Sequence, residues 1–248
     1  MSFPGRRPAR AAGPAAAPGP NMTSRSQAPP TGARLAVLLV LNLAVALGLS
    51  LLAWGDARGF VAHPARVAAL LLLLAPTVVT MTSTSGWSFG VRHAGEARAL
   101  RIALATVVNL GFFLVIFCEG HGIGVLPGGD ALRWAGLAVL AAGVVIRAGP
   151  MLALGRRFTL QVAVTEGHRL ETRGWYARVR HPSYLGVMLM VLGLVGVFRS
   201  APALLLFAFT VWALLRRMAI EERFLAQEFG DEYRSYMVRT ARLVPGVY

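Results

Sequence analysis

The sequence contains no lysine, a single cysteine and few acids. Its 25 basic residues are all arginine and face only 11 Asp and Glu, a formal charge of +14 over 248 residues. With Cys118 alone, an internal disulfide and a cysteine-based zinc cluster are both excluded. Charged residues make up 15% of the chain and hydrophobic ones 56%, which excludes wholesale disorder and points away from a soluble enzyme. No zinc-finger, RNP or basic-zipper pattern is present, so nucleic acid is not an expected partner. The excess positive charge suits anionic lipid head groups or an anionic ligand instead. HExxH and Walker sequences are also missing, and the glycines of GIGVLPGGD (122–130) lack dinucleotide-fingerprint spacing. His63, His93 and His121 fall in separate loops, so no metal is expected.

What the chain does have is long uncharged runs, at 35–55, 67–91, 102–118, 134–146, 182–198 and 200–215. About 20 apolar residues cross roughly 30 Å of hydrocarbon. The first two runs exceed that and the third is near the lower limit. Arg147 interrupts an extension of the fourth to 155, and is expensive there unless it snorkels or faces protein. Only Arg199 separates the last two; one helix through both would be roughly 50 Å long, so a tight helical hairpin is expected, with Pro202 near its turn. The expected fold is all-α and polytopic, with six spans.

Residues 1–33, rich in Pro, Ala, Gly, Ser and Arg, read as a disordered basic tail rather than a cleaved signal. Residues 34–152 carry four spans, and 153–248 form a core of polar loop, hairpin and amphipathic C-terminal helix that turns at Gly230. Arginines concentrate in the tail, in 153–181 and in the C-terminal segment, whereas 119–132 has Glu119, His121 and Asp130 and none. The positive-inside rule therefore places both termini and the polar segments on the cytoplasmic side. Arginine-only, alanine-rich usage suggests a GC-rich genome and a bacterial inner membrane. The terminus RLVPGVY carries no lipidation signal.

Polar side chains gather in 155–182 and 216–242, at opposite ends of the expected hairpin and on one side of the membrane. Several have plain structural readings. Arg180 and His181 suit an interfacial anchor before Pro182 at a helix start. Arg217 and Glu221, four apart, suit a surface ion pair. Tyr176, Tyr184, Tyr233 and Tyr236 suit an aromatic belt.

The joint pattern is more specific. GRRFTLQVAVTEGHRLETRGWYARVRHPSYLG (155–186), then EERFLAQEFGDEYRSYMVRTARLVPGVY (221–248), resembles the isoprenylcysteine carboxyl methyltransferase family and its phospholipid methyltransferase relatives. The resemblance covers roughly the last 95 residues; the first four spans match only in being hydrophobic helices. It implies a membrane-embedded methyltransferase using S-adenosylmethionine without a Rossmann domain, acting on a lipid-like substrate from the bilayer. By motif position the cofactor-binding residues would be Gln161, His168, Arg169, Leu170, Glu171, Tyr176, His181, Pro182, Ser183, Tyr184 and Glu221. Arg217 falls at a substrate-side arginine, and Arg217 and Glu221 would act in catalysis.

The chemistry is coherent with those residues. Methyl transfer from a sulfonium is an in-line displacement, favoured by alignment and exclusion of water. A carboxylate nucleophile is ionised near neutral pH and needs only a cation such as Arg217 to orient it. A phospholipid amine would arrive protonated and require a base, for which Glu222 or His181 are candidates. Arg217 therefore tilts the expectation toward O-methylation of a carboxylate on a lipid-like or isoprenylcysteine-type substrate. Phospholipid N-methylation is the alternative, and a non-enzymatic membrane protein or transporter retaining the fold is a second.

Overall fold

The computed structural model describes residues 32–83, 95–154 and 170–247. The described residues are helical throughout their regular elements: α1 Gly32–Trp54, α2 Ala57–Val61, α3 Pro64–Ser83, α4 Gly95–Gly120, α5 Gly129–Leu154, α6 Pro182–Val197, α7 Pro202–Phe229 and α8 Asp231–Arg239. Residues 1–31 of the expected tail, 84–94 at the end of the second apolar run, and 155–169 lie outside the described residues. Gly32 and Ala33, assigned from composition to the tail, begin α1.

Among the described residues, four helices are long and apolar enough to cross a membrane, at Ala36–Trp54, Ile102–Gly120, Gly129–Ala153 and Pro202–Phe229. Pro64–Val79 and Pro182–Val197 are apolar but shorter. The runs under-read two of the helices. α4 begins at Gly95, before Glu96, Arg98 and Arg101, and α5 continues through Arg147 and Pro150 to Leu154. Local chemistry sets the ends: Asp56 caps α2 by accepting from the Arg58 and Gly59 amides at 3.0 and 2.7 Å. Pro182 and Pro202 start α6 and α7, where a missing N–H costs nothing. Gly230, at φ +55°, ends α7 where the sequence predicts a turn.

α5 and α6 pack with their backbones in direct contact. A Cβ placed on Gly193 would lie 2.5 Å from the Leu140 amide nitrogen, and one on Gly186 would lie 2.5 Å from that of Arg147. Small residues at a helix interface allow this approach. It also brings Arg147 against the first turn of α6. Around the pair, Phe60, Ile116, Leu140, Val197 and Phe198 form the main core, with Met188, Leu214, Met218 and Leu243 forming a second cluster nearer the C-terminal segment.

The end of the bundle away from α8 is held by buried charge. Glu119, in the last turn of α4, pairs through Oε1 with Arg66 of α3 at 3.3 Å and with Arg133 of α5. Arg66 also donates to the Gly59 carbonyl at 2.8 Å and lies over the Trp54 ring, and Arg133 donates to the Val197 carbonyl at 2.9 Å. One carboxylate thus links three helices and the α6–α7 turn. That turn is completed by backbone bonds from Leu126 to Arg199 and from Ala201 to Gly124.

Candidate active site

The opposite end of the bundle collects the polar motif residues. α6 starts immediately after His181, so Pro182, Ser183 and Tyr184 occupy its first turn. α7 runs back past this turn and presents Arg217, Glu221 and Glu222 in its last four turns. Tyr184 is the meeting point. Its hydroxyl donates to Glu221 Oε2 at 2.6 Å and accepts from Arg217 Nε at 2.7 Å. The His181 ring stacks on the Tyr184 ring, with centroids 5.3 Å apart and planes within 3°. Arg217 and His181 are buried, and Tyr184 and Glu221 partly so.

Arg147 joins them from α5 by donating to Ser183 Oγ. Two guanidiniums therefore flank the first turn of α6, with Glu221 as the carboxylate bonded to its tyrosine. That arrangement is net positive and lies in a low-dielectric surround, where a charged partner is worth more than in water. The sequence marked Arg147 only as a costly charge in an apolar run, with the provision that it could face protein. That provision was the available signal, and the structure meets it.

Tyr176 sits in the short 3-10 turn Gly174–Ala177, and its carbonyl accepts from the Tyr236 hydroxyl of α8 at 2.7 Å. Burial, reinforced by the charge of Glu221, raises the Tyr176 phenol, and burial pushes that of Tyr236 up to about 12. Both remain protonated donors at neutral pH. The Glu171 carboxylate accepts from the Arg173 amide at 3.1 Å and shapes the entry to this turn; Leu170 directly precedes it and is partly buried. Gln161, His168 and Arg169 lie outside the described residues.

Glu222 has a different environment from Glu221. It is buried, its Oε1 receives Arg180 Nε at 2.8 Å and His181 Nε2 at 3.3 Å, and its Oε2 receives Arg242 Nε at 2.9 Å. Arg180 and Arg242 are thus structural partners of a buried carboxylate. A free interfacial anchor would have left Arg180 in solvent.

Residues 134–227 match the model of the isoprenylcysteine carboxyl methyltransferase (ICMT) family. The resemblance to the ICMT family is borne out; the match begins upstream in α5, the helix that carries Arg147 and touches α6, and ends at 227, within the second motif segment. Protein-S-isoprenylcysteine O-methyltransferase A of Arabidopsis thaliana is 35% identical over 115 residues, covering 45% of this chain and 58% of that protein. The enzyme of Schizosaccharomyces pombe is 34% identical over 112 residues, 44% of this chain and 48% of its own. The chain spans less than two thirds of the length of these relatives. Among solved structures, the eukaryotic intramembrane Ras methyltransferase ICMT superposes with a TM-score of 0.51 at 22% identity, covering 87% of this chain and 77% of that one. This last likeness is one of fold, and it supports an integral-membrane helical architecture.

Proposed function

We propose that this chain is an integral-membrane, S-adenosylmethionine-dependent methyltransferase that O-methylates a carboxylate on a lipid-like or isoprenylcysteine-type substrate. The observation that carries the reading is the partly buried Arg217–Tyr184–Glu221 arrangement, within the segment that matches the ICMT family.

The residues present fit the cofactor. Glu221 offers a carboxylate to a cationic group, the parallel His181 and Tyr184 rings offer a flat surface to a purine, and Tyr176 offers a protonated hydroxyl. Together with Pro182 and Ser183 of the first turn, Leu170 and Glu171 before the 3-10 turn, and Gln161, His168 and Arg169, they make up the proposed cofactor set. When bound, S-adenosylmethionine supplies an electrophilic methyl group on a sulfonium. The chain has three tasks: to exclude water, to draw an anionic acceptor out of it, and to align that acceptor. Arg217 is suited to the second and third, because a guanidinium can hold a carboxylate through two parallel bonds. Tyr184 fixes Arg217 and Glu221 relative to one another and so sets acceptor geometry against cofactor geometry.

The acceptor follows from where the bases are. Glu222, the carboxylate expected to serve an amine nucleophile, is committed to Arg180, His181 and Arg242. His181 directs Nε2 at the same carboxylate. Glu222 is thus not free to take a proton from an amine, whereas a carboxylate nucleophile needs no base. This supports O-methylation over phospholipid N-methylation. An enzyme is likewise supported over a silent membrane protein by the match of residues 134–227, which include Tyr184, Arg217 and Glu221, to the ICMT family.

Six apolar helices, four of full spanning length, support six crossings with the site on the arginine-rich cytoplasmic side. The relatives named above are eukaryotic, while arginine-only usage supports a bacterial inner membrane. The test is transfer of a labelled methyl group from S-adenosylmethionine, by the full chain in lipid, to a prenylcysteine analogue and separately to phosphatidylethanolamine. Label released by mild base as methanol is the expected result. Base-stable label on phosphatidylethanolamine would overturn the carboxylate assignment, and transfer to neither would remove both acceptors.

A further inference from the structure

The C-terminal segment after α8 returns to the chain just before α6. Ala241 pairs in parallel with Val179: the Ala241 amide donates to the Arg178 carbonyl at 2.9 Å, and the Arg180 amide donates to the Ala241 carbonyl at 2.9 Å. The His181 amide donates to the Arg242 carbonyl at 3.1 Å. Arg242 then places its side chain on Glu222, through Nε at 2.9 Å and through Nη2. The backbone of His181 and the carboxylate that receives its ring are therefore both held by one residue of the tail.

That carboxylate decides how the His181 ring is presented. An ionised carboxylate only accepts hydrogen bonds. His181 Nε2, 3.3 Å from Glu222 Oε1, must carry a proton to use it, so the neutral ring keeps Nδ1 as its acceptor. The ring plane is fixed by stacking on Tyr184. Arg180 Nε shares Oε1 with the histidine, and Arg180 Nη1 is anchored on the Met237 carbonyl at 2.9 Å. Arg242 is the partner of Oε2. Without it one oxygen of a buried carboxylate loses its donors, and the carboxylate is free to turn away from His181.

We infer that Arg242 is a positioning residue, which acts through Glu222 to set the tautomer and orientation of His181 and thereby the affinity for S-adenosylmethionine. This rests on the reading of His181 as a cofactor-binding residue, and the experiment separates the two. S-adenosylmethionine binding and steady-state kinetics are measured on the full chain in lipid nanodiscs, for wild type, Arg242→Ala, Arg242→Lys, His181→Ala and the double variant.

Arg242→Ala is expected to raise the dissociation constant about tenfold while turnover at saturating cofactor stays within about twofold. Arg242→Lys, which keeps one charged donor, is expected to recover most of the loss. The double variant is expected to bind no more weakly than His181→Ala alone, because both changes remove the same interaction. Multiplied losses in the double variant, or wild-type affinity in Arg242→Ala, would overturn the inference. Should Arg242→Ala fail to fold, Arg242→Gln carries the test: about threefold weaker binding is expected, and wild-type affinity in the folded variant overturns the inference. Wild-type binding by His181→Ala would instead remove the cofactor role of His181, and the inference with it.

Discussion

The Tyr184 hydroxyl is bonded to the Glu221 carboxylate at 2.6 Å although the two residues lie 37 positions apart in the chain. The same oxygen receives Arg217 at 2.7 Å, so one phenol joins a residue proposed to face the cofactor to one proposed to face the acceptor.

Removing that oxygen should uncouple them. Tyr184→Phe keeps the ring that stacks on His181 but leaves Arg217 and Glu221 without their common partner. Each lost bond to a charged group is worth about 1.5–3 kcal/mol. Turnover in the methyl-transfer assay should fall roughly tenfold to a hundredfold, with a smaller rise in the KM for cofactor. Unchanged turnover would show that the two side chains are aligned by something else.

The two charged partners should separate by assay. Glu221→Ala should weaken S-adenosylmethionine binding about tenfold or more, as read by titration calorimetry. Arg217→Ala should leave that binding largely intact and lower turnover, because its proposed contact is with the acceptor. Equal loss of both properties in both variants would indicate a shared folding defect, which thermal melting in detergent detects.

The α5–α6 contact gives a stability prediction. Gly186→Ala places a Cβ 2.5 Å from the Arg147 amide nitrogen and 2.8 Å from its Cα, atoms of a helix backbone that cannot rotate aside. The helices must separate, at a cost of about 1–3 kcal/mol or more, and Arg147 moves relative to Ser183. A lower melting temperature together with reduced turnover is expected. Gly48→Ala, where the added carbon meets nothing within 4 Å, should leave both unchanged.

At the other end of the bundle, Glu119→Ala would leave Arg66 and Arg133 buried without their shared carboxylate. Breaking such a group costs about 3–5 kcal/mol. The folded fraction recovered from membranes should fall steeply, while the protein that does fold should retain its cofactor affinity, since this cluster lies at the opposite end from Tyr184. A change in affinity without loss of folded protein would contradict that separation.

The sequence made the helices legible because hydrocarbon demands long uncharged runs, and α1, α4, α5 and α7 obey that demand. The third run fell short of the start of α4, whereas the extension of the fourth to 155, open if Arg147 faces protein, is met by α5 ending at Leu154. A charged residue that reaches protein, as Arg147 reaches Ser183, breaks a run without breaking the helix. The motif named His181, Tyr184, Arg217 and Glu221, and the fold gathers them. It could not separate Glu221 from Glu222. Adjacent positions on a helix point about 100° apart, so one glutamate meets Tyr184 and its neighbour meets Arg180 and Arg242, residues 42 and 20 positions away. Pairings at that range depend on how helices cross, which composition and local spacing do not encode.

The backbone contact between α5 and α6 has a consequence for traffic. Where Gly186 and Gly193 let two helices touch main chain to main chain, no acyl or prenyl tail can slide between them. An acceptor of the proposed lipid-like kind, entering sideways from the bilayer, would have to reach Arg217 past another face of α6 or α7, so this seam is a closed side of the bundle.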